Sequence, residues 1–120
     1  MPTILIVDDR AVIRRLISIS LSKDYEILEA EDSVSAMKLI QSHSPQVVFL
    51  DVMMRGEMDG LQLLDEIKGN PLTRSIKVAM VTGRGLAEDS DDALKRGADA
   101  YFVKPFGLRE MQAWVQNVLK

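Results

Sequence analysis

A chain of 120 residues has room for one sizeable core and not for two. Apolar residues make up 47% of it and charged residues 28%, which excludes a disordered chain, and the net charge of −3 offers no concentration of Lys and Arg for neutralising nucleic-acid phosphates. There is no Cys, which removes disulfides and thiol chemistry, and no apolar segment nears the roughly 20 residues a membrane span requires. The expectation is one soluble, cytoplasmic domain over residues 1–120 that contacts neither nucleic acid nor membrane directly.

In chain order, the apolar run Thr3–Val7 reads as a first strand, too short and wrongly flanked for a signal peptide, and Asp8-Asp9 follows it. Val12, Ile13, Leu16, Ile17 and Ser20-Leu21 then mark one face of a helix. A second strand, Tyr25–Ala30, is followed by Glu31 and by Asp32, a residue suited to cap the helix carrying Ala36, Met37 and Ile40. That helix closes near His43, the only histidine, which reads as a solvated helix end. The third strand, Gln46–Leu50, is followed by Asp51; a helix with Leu61, Leu64 and Ile67 comes next and ends near Gly69-Asn70-Pro71. The fourth strand, Lys77–Val81, is followed by Thr82, and the helix from Leu86 to Arg96 is closed by Gly97. The acidic run Glu88 to Asp92 lies in the first turns of this helix, where negative charge is favourable. The fifth strand, Ala100–Val103, is followed by Lys104-Pro105, and Leu108, Met111, Val115, Val118 and Leu119 mark the last helix. Trp114, one turn from Met111 and Val118, suits either the core or a partner surface.

Strand and helix alternate five times, and several strands are nearly continuous in apolar residues, as strands buried on both faces of a parallel sheet are. The pattern predicts an α/β domain: a flavodoxin-like, doubly wound, five-stranded parallel sheet of order 2-1-3-4-5 with five helices. In that order the first and third strands flank the topological switch point, and ligands bind beyond the carboxyl ends of the strands.

The residues at those ends are Asp8 and Asp9, Asp51, Thr82 and Lys104. Taken singly, an Asp at a strand end more often caps a helix, a Thr there is mostly a turn residue, and a Lys before Pro is usually solvated. Together they bring three carboxylates, a hydroxyl and an ammonium to one rim. Three carboxylates a few ångströms apart repel one another, so either one holds a proton or a hard cation takes them as oxygen ligands; Mg2+ suits the second role. With Mg2+ and Lys104 in place the rim matches the charge of a transferring phosphoryl group, Thr82 offers a hydroxyl to one of its oxygens, and Asp51 is the nucleophile that becomes an aspartyl phosphate.

Ile4-Leu5-Ile6-Val7-Asp8-Asp9, Val48-Phe49-Leu50-Asp51-Val52-Met53-Met54, Met58-Asp59-Gly60, Val81-Thr82 and Gly97 through Phe106 together resemble the receiver domains of two-component response regulators, across essentially the whole chain. The resemblance implies Asp51 as phosphoacceptor and Asp8 and Asp9 as the metal-binding pair, with the backbone carbonyl of Met53 as a further ligand. It implies Thr82 and Lys104 as ligands of the phosphoryl oxygens and Tyr101 as the aromatic that changes rotamer when Thr82 moves. The implied phosphodonor is a histidine kinase or a histidine phosphotransfer protein. The implied readout surface is the fourth helix, fifth strand and fifth helix, acting on a protein partner from a monomer or a phosphorylation-dependent dimer.

The sequence departs from the family pattern at Arg55, where Pro is usual, and at Gly83, where Ala is usual. Met53 and Arg84, two residues past Asp51 and Thr82, flank the phosphoryl site in this family. An apolar Met53 cannot orient an attacking water and Arg84 reaches toward a phosphoryl oxygen, which together imply a long-lived phosphoryl state. Two other classes compete: an interaction module of the same fold that is never phosphorylated, and a Mg2+-dependent phosphohydrolase. The first has no need of all five rim residues; the second wants an acid/base Asp at position 53, which is Met. No output domain is expected within these 120 residues.

Overall fold

Burying a Leu, Ile or Phe side chain stabilises a fold by about 1.5–3 kcal/mol, so runs such as Val47 to Leu50 go where both faces are covered. In the computed structural model, which describes residues 1–52, 58–83, 87–103 and 107–120, they form the inner strands of a sheet. The strands are β1 (Thr3–Val7), β2 (Glu26–Ala30), β3 (Val47–Asp51), β4 (Lys77–Thr82) and β5 (Ala100–Val103). The helices are α1 (Ala11–Leu21), α2 (Ser33–His43), α3 (Gly60–Gly69), α4 (Ala87–Lys95) and α5 (Leu108–Val118). All strand pairs are parallel and the order is β2-β1-β3-β4-β5, as the pattern of alternation predicts.

Successive side chains leave opposite faces of the sheet, which divides the core in two. Leu5, Val7, Val48, Leu50, Val78 and Met80 pack with Ala36 and Ile40 of α2, Leu63, Leu64 and Ile67 of α3, and Ala93 of α4. Ile4, Ile6, Val47, Phe49, Ala79 and Val81 pack with Ile17 and Leu21 of α1 and with Met111 and Val115 of α5. Trp114 belongs to the second layer: its ring meets Phe49 edge-on at 5.8 Å and Phe102 at 6.1 Å, while part of it stays exposed. For α1 the expected face is only half right. Val12 and Leu16 point outward with Ile19, because the helix is apolar on two sides and the Ile13–Ile17–Leu21 row is the one that meets the sheet.

Caps fix where the helices begin and end. Asp32 accepts the Ser35 backbone N–H at 2.8 Å, and this bond, with a second from the Ser35 hydroxyl, holds its carboxyl below the usual carboxylate value. The cap therefore contributes fully above the ordinary carboxylate range and is lost as pH falls through the depressed value. α3 opens with a capping box in which Asp59 accepts from Gln62 and Gln62 accepts from Asp59. α4 closes as expected at Gly97, which has φ 103°; Ala98 donates to the Ala93 carbonyl and Gly97 to that of Leu94, a Schellman motif. At the amino end of β4, Lys68 donates to the Arg74 and Ile76 carbonyls and to Asp99, tying α3 to the turn before β4 and to the start of β5.

Candidate functional site

The register delivers the acidic residues to one place. Val7 of β1 pairs with Leu50 of β3, so the next residues, Asp8 and Asp51, emerge side by side at the carboxyl rim. Two backbone bonds hold them: the Asp8 N–H reaches the Ala30 carbonyl at 3.1 Å, and beyond Asp51 the Val52 N–H reaches that of Val81 at 3.1 Å. The second bond, together with the pairing of Thr82 with Val103, explains why Asp51 and Thr82 are the last residues of β3 and β4 rather than the first beyond them, since the ladder continues whatever the side chain. Gly60, the first residue of α3, donates to the Val52 carbonyl at 3.2 Å and lies against the Asp51 backbone.

Asp8 and Asp51 are almost wholly buried, at 2% and 3% exposure, and Asp9 is partly exposed. One carboxylate oxygen from each of the three lies within 4.8 Å of the others. Hard oxygen donors gathered this closely could hold a divalent cation that prefers oxygen, and do not suit a thiophilic or imidazole-seeking metal. Thr82 is fully buried at the end of the neighbouring strand. Tyr101, opposite Met80 in the register, is half-buried on the same face of the sheet as Thr82, two residues beyond Met80. Lys104, Met53 and Arg84, the other residues singled out from sequence, lie outside the described residues, as does Arg55. Asp32 is engaged as a helix cap, and His43 ends α2 with its Nδ1 2.8 Å from the Ser42 hydroxyl, so neither enters the site.

Two arginines that sequence reasoning passed over stand beside the carboxylates. Arg10 donates its backbone N–H to Asp8 Oδ1 at 2.8 Å and its Nε to the same oxygen at 3.4 Å, and its guanidinium reaches Asp51 Oδ2 at 3.9 Å. Arg14, one turn further on, donates to the Asp8 backbone carbonyl at 2.7 Å and to Glu29 at 3.3 Å, which locks the end of β1 to α1 and β2. The available signal was the i, i+4 placement of two Arg directly after an acidic pair.

A doubly wound sheet with a buried acidic cluster at its switch point is an α/β domain whose candidate site lies at the carboxyl ends of the strands, and comparison narrows the class. The response regulator receiver domain family matches residues 4–116, and the chain belongs to it. It is 40% identical over 119 residues to the phosphate regulon transcriptional regulatory protein PhoB of Pseudomonas aeruginosa, covering 98% of this chain and 52% of that protein. The receiver domain of NtrX from Brucella abortus superposes with a TM-score of 0.89 at 37% identity, covering 97% of each chain. Vibrio cholerae chemotaxis protein CheY4 superposes with a TM-score of 0.89 at 27% identity, covering 98% of each. The chain thus spans about half the length of the PhoB proteins it matches. Receiver domains are signalling modules of two-component systems and interact with histidine kinases. Among the described residues no helix is long and apolar enough to cross a membrane.

Proposed function

We propose that this receiver domain accepts a phosphoryl group on Asp51 from the phosphohistidine of a histidine kinase or histidine phosphotransfer protein, with Mg2+ held by Asp8, Asp9, Asp51 and the Met53 carbonyl. The observation that carries the reading is the meeting of three carboxylates at the carboxyl ends of β1 and β3 within 4.8 Å of one another, beside the buried Thr82. An Asp51 oxygen attacks phosphorus, the P–N bond breaks, and its electron pair leaves with the imidazole, which takes up a proton. When bound, Mg2+ supplies positive charge to the phosphoryl oxygens. Thr82 and Lys104 bind two of those oxygens, Asp8 and Asp9 provide the negative charge that holds the metal, and the buried rim limits water. Movement of Thr82 toward the phosphate and of Tyr101 into the space behind it changes the α4–β5–α5 surface that a protein partner reads.

Intact mass after incubation with acetyl phosphate tests this. The wild type is expected to gain about 80 Da only when Mg2+ is present, and Asp51→Asn to gain nothing, since it lacks the nucleophile. No adduct in the wild type leaves an interaction module of receiver fold, and an adduct that persists in Asp51→Asn puts the phosphoryl group on another residue. In the same assay the adduct is expected to decay at least about tenfold faster in Met53→Asn, because an amide there can orient the attacking water that a thioether cannot. Equal decay would remove Met53 as the determinant of lifetime.

A further inference from the structure

The side chain of Arg10 bridges the two carboxylates contributed by neighbouring strands. Asp8 Oδ1 receives both its backbone N–H and its Nε, and the far end of the guanidinium is 3.9 Å from Asp51 Oδ2. The bridged groups are nearly buried, at 3% and 4% side-chain exposure, whereas the Arg10 side chain is 54% exposed. It lies across the rim from outside and can swing into solvent without disturbing the core. Arg14 differs: it is 16% exposed and bound to the Asp8 backbone carbonyl and Glu29, so it serves as a fixed strut.

We propose that Arg10 is a built-in counter-ion of the acidic rim that exchanges with the divalent cation, so that guanidinium and metal exclude one another and Arg10 sets the metal concentration at which the domain loads. This rests on the reading of Asp8, Asp9 and Asp51 as the Mg2+ site. A guanidinium stays charged at any accessible pH. Mg2+ sits about 2.1 Å from its ligand oxygens, so a Mg2+ ion bound by Asp8 and Asp51 would lie within about 6 Å of Arg10 as now placed, and the two like charges repel. An ion that uses Asp8 Oδ1 also competes with the two donors already on that oxygen. Without the metal, the same guanidinium offsets the repulsion among carboxylates whose oxygens lie within 4.8 Å.

Titration calorimetry with MgCl2, together with thermal unfolding in EDTA and in Mg2+, on wild type, Arg10→Met and Arg10→Lys tests the exchange without any phosphodonor. Arg10→Met keeps the apolar stem and removes the charge. It is expected to bind Mg2+ about tenfold more tightly, equivalent to about 1.4 kcal/mol. It should also melt lower than wild type in EDTA and gain more from Mg2+, because bound ligand adds stability according to its affinity. Arg10→Lys, which restores the charge, should return both quantities most of the way to wild type. Equal Mg2+ affinity and equal Mg2+ stabilisation in all three proteins would overturn the exchange while leaving the metal site intact. Absence of Mg2+ binding in all three would overturn both.

Discussion

Asp8→Asn is expected to give a protein that is more stable without metal and nearly inert toward phosphodonors. Asp8 is 2% exposed and shares a small space with Asp9 and Asp51, so its charge raises the free energy of the metal-free fold. The amide replacement is isosteric, and its oxygen still accepts the Arg10 backbone N–H that Asp8 Oδ1 accepts at 2.8 Å. Packing and local geometry are preserved while one of three like charges disappears. Part of that repulsion is already offset by Arg10, so the expected gain is about 1 kcal/mol, or about 4 °C in Tm in EDTA. The loss is larger. A neutral ligand weakens a hard-cation site, and changes even one layer further out typically cost 10–100-fold in metal affinity, so Mg2+-dependent phosphoryl uptake should fall by at least about a hundredfold. Unfolding curves with and without Mg2+, and mass after acetyl phosphate treatment, measure both effects. A variant with a lower EDTA Tm and an undiminished response to Mg2+ would mean that Asp8 acts as a structural acceptor and not as a metal ligand.

The strand order was legible because Val47 to Leu50 and Val78 to Val81 can be accommodated only where both faces are covered, and alternation with helices leaves few topologies. The meeting of Asp8 with Asp51 followed from that order alone. Arg10 was legible only as spacing: an Arg after an acidic pair reads as a solvated charge, and only the turn that folds its backbone N–H onto Asp8 Oδ1 aims the guanidinium back across the rim. Val12 and Leu16, which turn outward, were misread for a different reason. Helical period identifies apolar stripes but does not say which of two stripes meets the sheet, and here the Ile13–Ile17–Leu21 row does.

Gly60 shows the same limit from the side of the backbone, and its replacement should have the largest effect on stability. In the sequence it is one glycine after an Asp cap; in the fold, the first turn of α3 is pressed onto the end of β3. A Cβ built at position 60 overlaps the Asp51 carbonyl oxygen and comes within 2.8 Å of the Asp51 carbonyl carbon and the Val52 Cα, all of them main-chain atoms that cannot rotate away. Gly60→Ala must therefore move α3 or the strand end that carries Asp51, the proposed phosphoacceptor. Overpacking of this kind costs about 3 kcal/mol, which corresponds to about 12 °C in Tm for a domain of this size. Because the displaced atoms belong to Asp51 itself, a shift of about 1 Å in the proposed nucleophile should also slow phosphoryl uptake on the order of a hundredfold. Gly69, at the other end of the same helix, supplies the control: nothing lies within 4 Å of a Cβ there, so Gly69→Ala should be neutral or stabilising by up to about 1 kcal/mol. If both alanine variants melt together, general helix propensity governs α3. If only Gly60→Ala falls, and loses phosphoryl uptake in the temperature range where it remains folded, the close approach of α3 to β3 is what holds Asp51 in position.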